Sequence, residues 1–224
     1  LRQDAEITLE ANPTAVEEER FAGFRDVGVN RLSLGAQSFD DWTLTWLGRA
    51  HTAADVTRAY AAARRAGFEC VNLDLLVGVP EAPAEALQRT MEATVALAPE
   101  HVSVYVLTVE PDTPLARRVA AGGVRPLDEE GEAEAYTAAA EWLAEAGYEQ
   151  YEVSNFARPG RRCRHNWSCW QGAEYLGVGP AAHSLVGAVR SWNDRSLERY
   201  LAAVERAAPA PGGQETLGPQ AARD

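Results

Sequence analysis

The sequence predicts an α/β fold built on a parallel sheet. Four apolar-rich runs of strand length occupy its first half, with helical periodicity between successive runs. Such alternation argues for a parallel sheet covered by helices. Right-handed crossovers would make it an open sheet or part of a barrel. Ligands of such folds gather at the carboxyl ends of the strands. Polar residues cluster there: Glu10, Gln37, Asp74 and Thr108.

The elements follow in order. Residues 6–10 read as a short strand, and Pro13 precedes a helix over about 15–27. Its face carries Val16, Phe21, Phe24 and Val27, and Gly28 stops it. The Glu17–Glu19 run in its first turns suits a solvated face favoured by the helix dipole. Residues 31–35 form the next strand, followed by helical stretches at 40–47 and 53–66. Trp42 and Trp46, four apart, read as packing residues of the first stretch. Residues 70–77 form a nearly continuous apolar strand closed by Gly78 and Pro80. A helix over 84–97 leads to a strand over 101–107. The second half differs. Asp128 caps a long helix, 129–146, and 148–156 reads as a strand. A basic loop, 158–164, precedes a segment rich in Trp, His and Gly, and Ser196 starts a last helix to about 207.

Composition narrows the function. Apolar residues make up 46% of the 224, enough for a core. The net charge is −12 with no dense basic stripe, which excludes nucleic acid as a partner. No apolar run approaches the ~20 residues that span a bilayer. No charged-then-apolar leader opens the chain, so a cytoplasmic location is expected. Three scattered cysteines, Cys70, Cys163 and Cys169, do not make a disulfide framework. The chain opens on Leu1 and ends in a Pro/Gly/Gln-rich stretch, so both ends read as cut.

Four phrases carry specificity when read together. They are Glu6-Ile7-Thr8-Leu9-Glu10-Ala11-Asn12-Pro13; Gly28-Val29-Asn30-Arg31-Leu32-Ser33-Leu34-Gly35-Ala36-Gln37-Ser38-Phe39; Leu47-Gly48-Arg49-Ala50-His51; and Asn72-Leu73-Asp74-Leu75-Leu76-Val77-Gly78-Val79-Pro80. In this order they resemble the radical S-adenosylmethionine (SAM) family that contains oxygen-independent coproporphyrinogen III oxidase and the heme chaperone HemW. The resemblance runs from about Glu6 to Leu201. It implies a partial (β/α) radical SAM, TIM-like barrel, here lacking its first strands, with an α+β C-terminal extension. It also implies a [4Fe-4S] cluster on a C-x3-C-x2-C triplet, whose electron cleaves SAM to a 5′-deoxyadenosyl radical. This chain has no such triplet and no Gly-Gly-Thr-Pro phrase. Both are expected before Leu1, so cluster binding is expected only of a longer protein.

By motif position, Glu10, Gln37, Arg49 and Asp74 resemble the family's SAM-binding residues. Carboxylates at 10 and 74 can accept hydrogen bonds from ribose hydroxyls or the SAM amino group, and Gln37 can donate and accept. Arg49 can pair with the SAM carboxylate. Taken singly, Gln37 and Asp74 read equally well as strand-end ties, and Arg49 as a surface ion pair.

The heme chaperone branch carries a His-Asn-x-x-Tyr-Trp motif, which the oxidase branch lacks. Here Tyr151–Gly160 leads into His165-Asn166-Trp167-Ser168-Cys169-Trp170, matching at His165, Asn166 and Trp170 with Cys169 in place of the Tyr. The resemblance implies heme at this motif, with His165 as the candidate iron ligand. A neutral imidazole is a good axial ligand and aromatic rings can flank a macrocycle. A helix-start histidine bonded to its own loop is the alternative. Cys163, His165 and Cys169 also form a C-x-H-x3-C group, but a closed zinc site wants a fourth ligand, so free thiols are the simpler reading. Tyr175–Ser184 resembles a family phrase whose glycines pass close to a barrel mouth, and reads equally as a Gly-rich turn.

Three functions compete. The first is a heme chaperone that binds heme and passes it to an unidentified acceptor protein. The second is coproporphyrinogen III oxidation, and the third a nonfunctional gene fragment. No catalytic residue is assigned. The expected division is a partial barrel over 1–125, an extension with the heme motif over 126–207, and a tail over 208–224 that begins a further domain.

Overall fold

Four parallel strands, β1 (Thr8–Ala11), β2 (Arg31–Gln37), β3 (Val71–Val77) and β4 (His101–Val106), stand side by side in chain order. The computed structural model describes residues 2, 4–13, 18–206 and 211–218. Between the strands run α1 (Glu18–Asp26), α2 (Asp41–Trp46), α3 (Ala53–Arg65) and α4 (Ala86–Leu97). After β4 come α5 (Pro114–Ala120) and α6 (Glu129–Glu145), then β5 (Glu149–Gln150) and β6 (Asn155–Ala157). The first turn expected for the α1 helix, including Glu17, lies outside the described residues, as do parts of the expected tail.

Local chemistry sets the helix ends. Thr52 caps α3 in a reciprocal capping box with Asp55, and Asp128 caps α6 through the Gly131 amide. Gly67 ends α3 at φ +86°, a conformation that disfavours any side chain.

The sheet has two unlike faces, because successive residues of a strand point opposite ways. One face carries Leu32, Leu34, Leu73, Leu75, Val102, Val104 and Phe156, all within 1% of full burial, and forms the core with Val56, Ala59 and Ala63 of α3. The other carries Glu10, Ser33, Asn72, Asp74, His101, Ser103 and Asn155. The strand over 70–77, expected to be nearly continuous in apolar residues, thus alternates: Asn72 and Asp74 leave the core for the polar face.

The segment 148–156 is not one strand. β5 and β6 pair antiparallel with each other, and β6 pairs antiparallel with β4. The chain reverses between them, with the Tyr151 amide bonded to the Asn155 carbonyl at 3.1 Å and the Ser154 amide to Glu152 Oε1 at 3.1 Å. The sheet order is therefore β1-β2-β3-β4-β6-β5. Of the two α2 tryptophans, Trp46 lies under the Arg118 guanidinium and donates to Glu81 Oε2 at 3.2 Å. Trp42 is 41% exposed and does not pack as expected.

The chain divides into two compact units, residues 1–163 and 164–224. The first unit runs past residue 125 because α6 packs on α4, β3 and β4, and β6 joins the sheet. The second unit holds α7 (Arg164–Trp170), α8 (Leu197–Glu205) and an antiparallel sheet of β7 (His183–Val186), β8 (Val189–Asn193) and β9 (Pro211–Thr216). β9 falls where a tail was expected. Its Gly212 and Gly213 lie against the Trp192 ring, which also stacks with His183 at 5.6 Å.

Candidate functional site

Three of the four expected SAM contacts stand on the polar face of the first unit. Glu10 is exposed on β1, opposite Ser33 in register, and Ser33 is opposite Asn72. Asp74 follows two residues on, and Glu10 is close enough for its charge to act on it. Gln37 ends β2 at φ +66°, where the pairing with β3 is irregular. A non-glycine residue in this region is uncommon and marks a backbone held by its surroundings. The Gln37 amide reaches back over Gly35: a Cβ built there would lie 3.1 Å from Gln37 Nε2 and 3.3 Å from Asn12 Oδ1. The absence of a side chain at Gly35 is what leaves room for both amides.

Arg49 stands apart from the strands, in the loop between α2 and α3, with an exposed side chain. That loop is tied to the strand ends. Buried His51 bonds the Ala36 carbonyl through Nε2 at 3.1 Å, one residue before Gln37. Asp40, at the other end of α2, accepts from Thr43 N and Oγ1 and from Arg89.

The polar face holds a hydrogen-bond network that motif matching alone did not reveal. Asn72 Nδ2 donates to Asp74 Oδ1 and to Ser33 Oγ, both at 2.7 Å, and Ser33 Oγ donates to Asp74 Oδ2 at 3.1 Å. His101 Nδ1 lies 2.6 Å from Asn72 Oδ1, and its Nε2 lies 2.8 Å from the Tyr151 hydroxyl. Ser103 Oγ donates to Asn155 Oδ1 at 2.7 Å. The signal was present as polar residues at every second position, 72 and 74, 101 and 103, in otherwise apolar strands. Burial pushes the Asp74 carboxyl above the usual range, against the hydrogen bonds from Ser33 and Asn72. Burial, with the Arg31 charge, pushes His101 down to about 3, so its ring is neutral.

The heme-motif residues lie in the second unit, on α7. His165 is exposed, Asn166 is partly buried and Trp170 is 52% exposed. Cys169 falls one turn after His165, with Sγ 3.8 Å from His165 Nε2. The His165 ring meets Tyr175 edge-on at 6.5 Å. In the phrase 175–184, a Cβ at Gly177 would run into the His183 backbone, so this glycine serves a close approach within the unit itself. Among the described residues, no group of three His, Cys, Asp or Glu stands close enough to hold a metal ion. These residues do not fit a [4Fe-4S] cluster or a closed zinc site.

Comparison with known proteins places this arrangement. The Radical SAM superfamily model matches residues 1–94. The heme chaperone HemW of Mycobacterium tuberculosis (strain CDC 1551 / Oshkosh) is 40% identical over 221 residues, spanning 99% of this chain. This chain is a HemW-like member of the radical SAM superfamily. A mitochondrial radical S-adenosyl methionine domain-containing protein 1 of Bos taurus is 45% identical over 183 residues, 82% of this chain and 41% of that protein. The chain spans 57% of the mycobacterial relative's length. Coproporphyrinogen III oxidase (HemN) from Escherichia coli, a radical SAM enzyme, superposes with a TM-score of 0.80. The match covers 96% of this chain and 52% of that one at 24% identity, a likeness of fold.

Radical SAM membership implies SAM and a [4Fe-4S] cluster as cofactors. The polar face fits SAM in its chemistry. Two carboxylates and a primary amide there match a ligand bearing an ammonium, a sulfonium and a ribose diol. Among the described residues, no helix is long and apolar enough to cross a membrane.

Proposed function

We propose that this chain belongs to a radical SAM-type heme chaperone, which binds heme and hands it to an acceptor protein in the cytoplasm, as a fragment without the cluster-binding segment. The observation that carries this reading is the 40% identity to HemW along 99% of the chain, with His165, Asn166 and Trp170 of the chaperone motif together on one short helix. An exposed imidazole suits an axial iron ligand. Tyr175 at the ring edge and Trp170 on the same helix offer aromatic surface to a macrocycle.

Glu10, Gln37, Arg49 and Asp74 are the proposed SAM residues. Asp74 and Glu10 accept hydrogen bonds from hydroxyl and ammonium groups, Gln37 provides a two-way amide, and Arg49 pairs with the amino-acid carboxylate. Together with a cluster, SAM supplies reductive bond cleavage in this superfamily. The residues here bind and orient it, and Asp74, partly withdrawn from water, strengthens each bond it accepts.

The test is a hemin titration of the full chain followed at the Soret band. One equivalent should bind with a shifted band, and His165→Ala should weaken binding at least about tenfold, the usual consequence of losing a strong ligand bond. An unchanged titration in His165→Ala removes His165 from the site. The fold likeness to coproporphyrinogen III oxidase favours a second reading, dehydrogenation of that substrate. Anaerobic incubation with SAM, reductant and coproporphyrinogen III should give no protoporphyrinogen IX, and its formation would reverse the ranking.

A further inference from the structure

The network behind Asp74 runs in one direction. A carboxylate only accepts hydrogen bonds, so the Asn72 group 2.7 Å from Asp74 Oδ1 must be its NH2. The Asn72 carbonyl oxygen then faces His101, 2.6 Å away, and requires a hydrogen on Nδ1. A neutral ring has one N–H, so Nε2 carries a lone pair and the Tyr151 hydroxyl, 2.8 Å away, must donate to it. From Tyr151 to Asp74 every donor points toward the carboxylate. A chain of this kind polarises each successive bond.

We infer that Tyr151, His101 and Asn72 are positioning residues that orient the Asp74 carboxylate and hold it as an acceptor for the ligand of the polar face. The inference rests on the reading of Asp74 as a SAM contact. It also gives the Tyr151–Asn155 phrase a physical task. The tight return between β5 and β6 brings Tyr151 beneath His101, with the rings 5.6 Å apart and edge-on, while Asn155 takes the hydrogen of Ser103. The opposite order is self-consistent only for a protonated Asp74: Asp74 O–H to the Asn72 carbonyl, the Asn72 NH2 to Nδ1, and Nε2–H to the Tyr151 oxygen. The His101 tautomer therefore reports the state in which Asp74 is held. Ionisable groups that face these side chains include Glu10 and Tyr105 on the Asp74 side, Arg31 on the His101 side, and Arg162, whose guanidinium lies over the Tyr151 ring at 5.7 Å.

The test combines 15N NMR of histidine-labelled full chain near neutral pH with SAM titration by calorimetry. His101 should be the Nδ1–H tautomer in the wild type. Tyr151→Phe should keep that tautomer, which the Asn72 carbonyl sets, and weaken SAM about fivefold, as expected for one lost hydrogen bond. His101→Leu should weaken SAM at least as much. His101→Asn, which keeps an N–H near the Nδ1 position but has no acceptor for Tyr151, should bind SAM about as well as Tyr151→Phe and better than His101→Leu. An Nε2–H tautomer in the wild type overturns the inference. So does wild-type affinity in both Tyr151→Phe and His101→Leu when Asp74→Asn has lost SAM. If Asp74→Asn itself binds SAM normally, the SAM reading fails instead, and the tautomer alone still decides whether the chain points as described. Should Tyr151→Phe not fold, the His101→Leu and His101→Asn pair carries the same comparison.

Discussion

Replacing Asp40 by Ala removes three supports of α2 at once. Its carboxylate caps the helix through Thr43 N at 2.9 Å, accepts the Thr43 hydroxyl at 2.7 Å, and takes Arg89 Nη2 at 2.7 Å. The lost cap costs about 1 kcal/mol. The Arg89 pair adds less than a buried ion pair would, because the Arg89 side chain is 46% exposed and stays hydrated when its partner goes. Together with the Thr43 hydroxyl bond, the loss should be about 2 kcal/mol. Asp40→Asn keeps a capping oxygen and should lose about half of that. For a folded unit of this size, 2 kcal/mol lowers Tm by about 4–8 °C. Burial pushes the Asp40 carboxyl up, but Thr43 and Arg89 together outweigh it and hold it below the usual carboxylate range. A folded-state value below the unfolded one contributes stability that is present above the unfolded pKa and is lost as pH falls through the folded value. The gap between wild type and Asp40→Ala should therefore hold at neutral pH and narrow below about pH 4. Urea unfolding followed by tryptophan fluorescence measures both, since Trp42 and Trp46 sit on α2 itself. An Asp40→Ala chain within about 0.5 kcal/mol of wild type, or a gap that persists undiminished in acid, would refute the reasoning.

Three further outcomes follow from the sites. Gly35→Ala should weaken SAM several-fold while costing under about 1 kcal/mol, because its Cβ displaces two flexible amides and no backbone; calorimetry and melting separate the two effects. Asp74→Asn should lose SAM yet melt no lower than wild type at pH 7. Its carboxyl is held above the usual range, so its charge costs stability above the folded pKa and nothing below the unfolded one. Cys169→Tyr, which completes the chaperone motif and removes the thiol beside His165 Nε2, should tighten hemin in a Soret titration, and weaker binding would count against the motif reading.

Much of the fold was legible because periodicity reports burial directly. The four parallel strands and the helices between them followed from apolar runs and Gly stops, and Asp128 caps its helix as expected. The β5–β6 return was missed because Tyr148, Tyr151, Val153 and Phe156 are strand formers and no Gly or Pro stands between them. What turns it is a local bond from the Ser154 amide to Glu152, which no periodicity records. The β7–β9 sheet was missed because its strands are short and half-exposed, and because Gly212 and Gly213 look like linker until Trp192 lies against them. Glu10, Gln37 and Asp74 were singled out by motif, and the structure sets them on one face. Their support was not found. Asn72, His101 and Tyr151 are far apart in sequence, and only the register of β3 on β4 and the β6 return bring them into a line.

Whether Glu10, Gln37 and Asp74 form one ligand site is most directly decided by a crystal structure of the chain grown with S-adenosylhomocysteine. The account predicts ribose and amino-acid density spanning β1 to β3, with oxygen or nitrogen atoms in hydrogen-bond range of both carboxylates. Well-ordered ligand elsewhere, with the Asp74 carboxylate touching only Ser33 and Asn72, would contradict it.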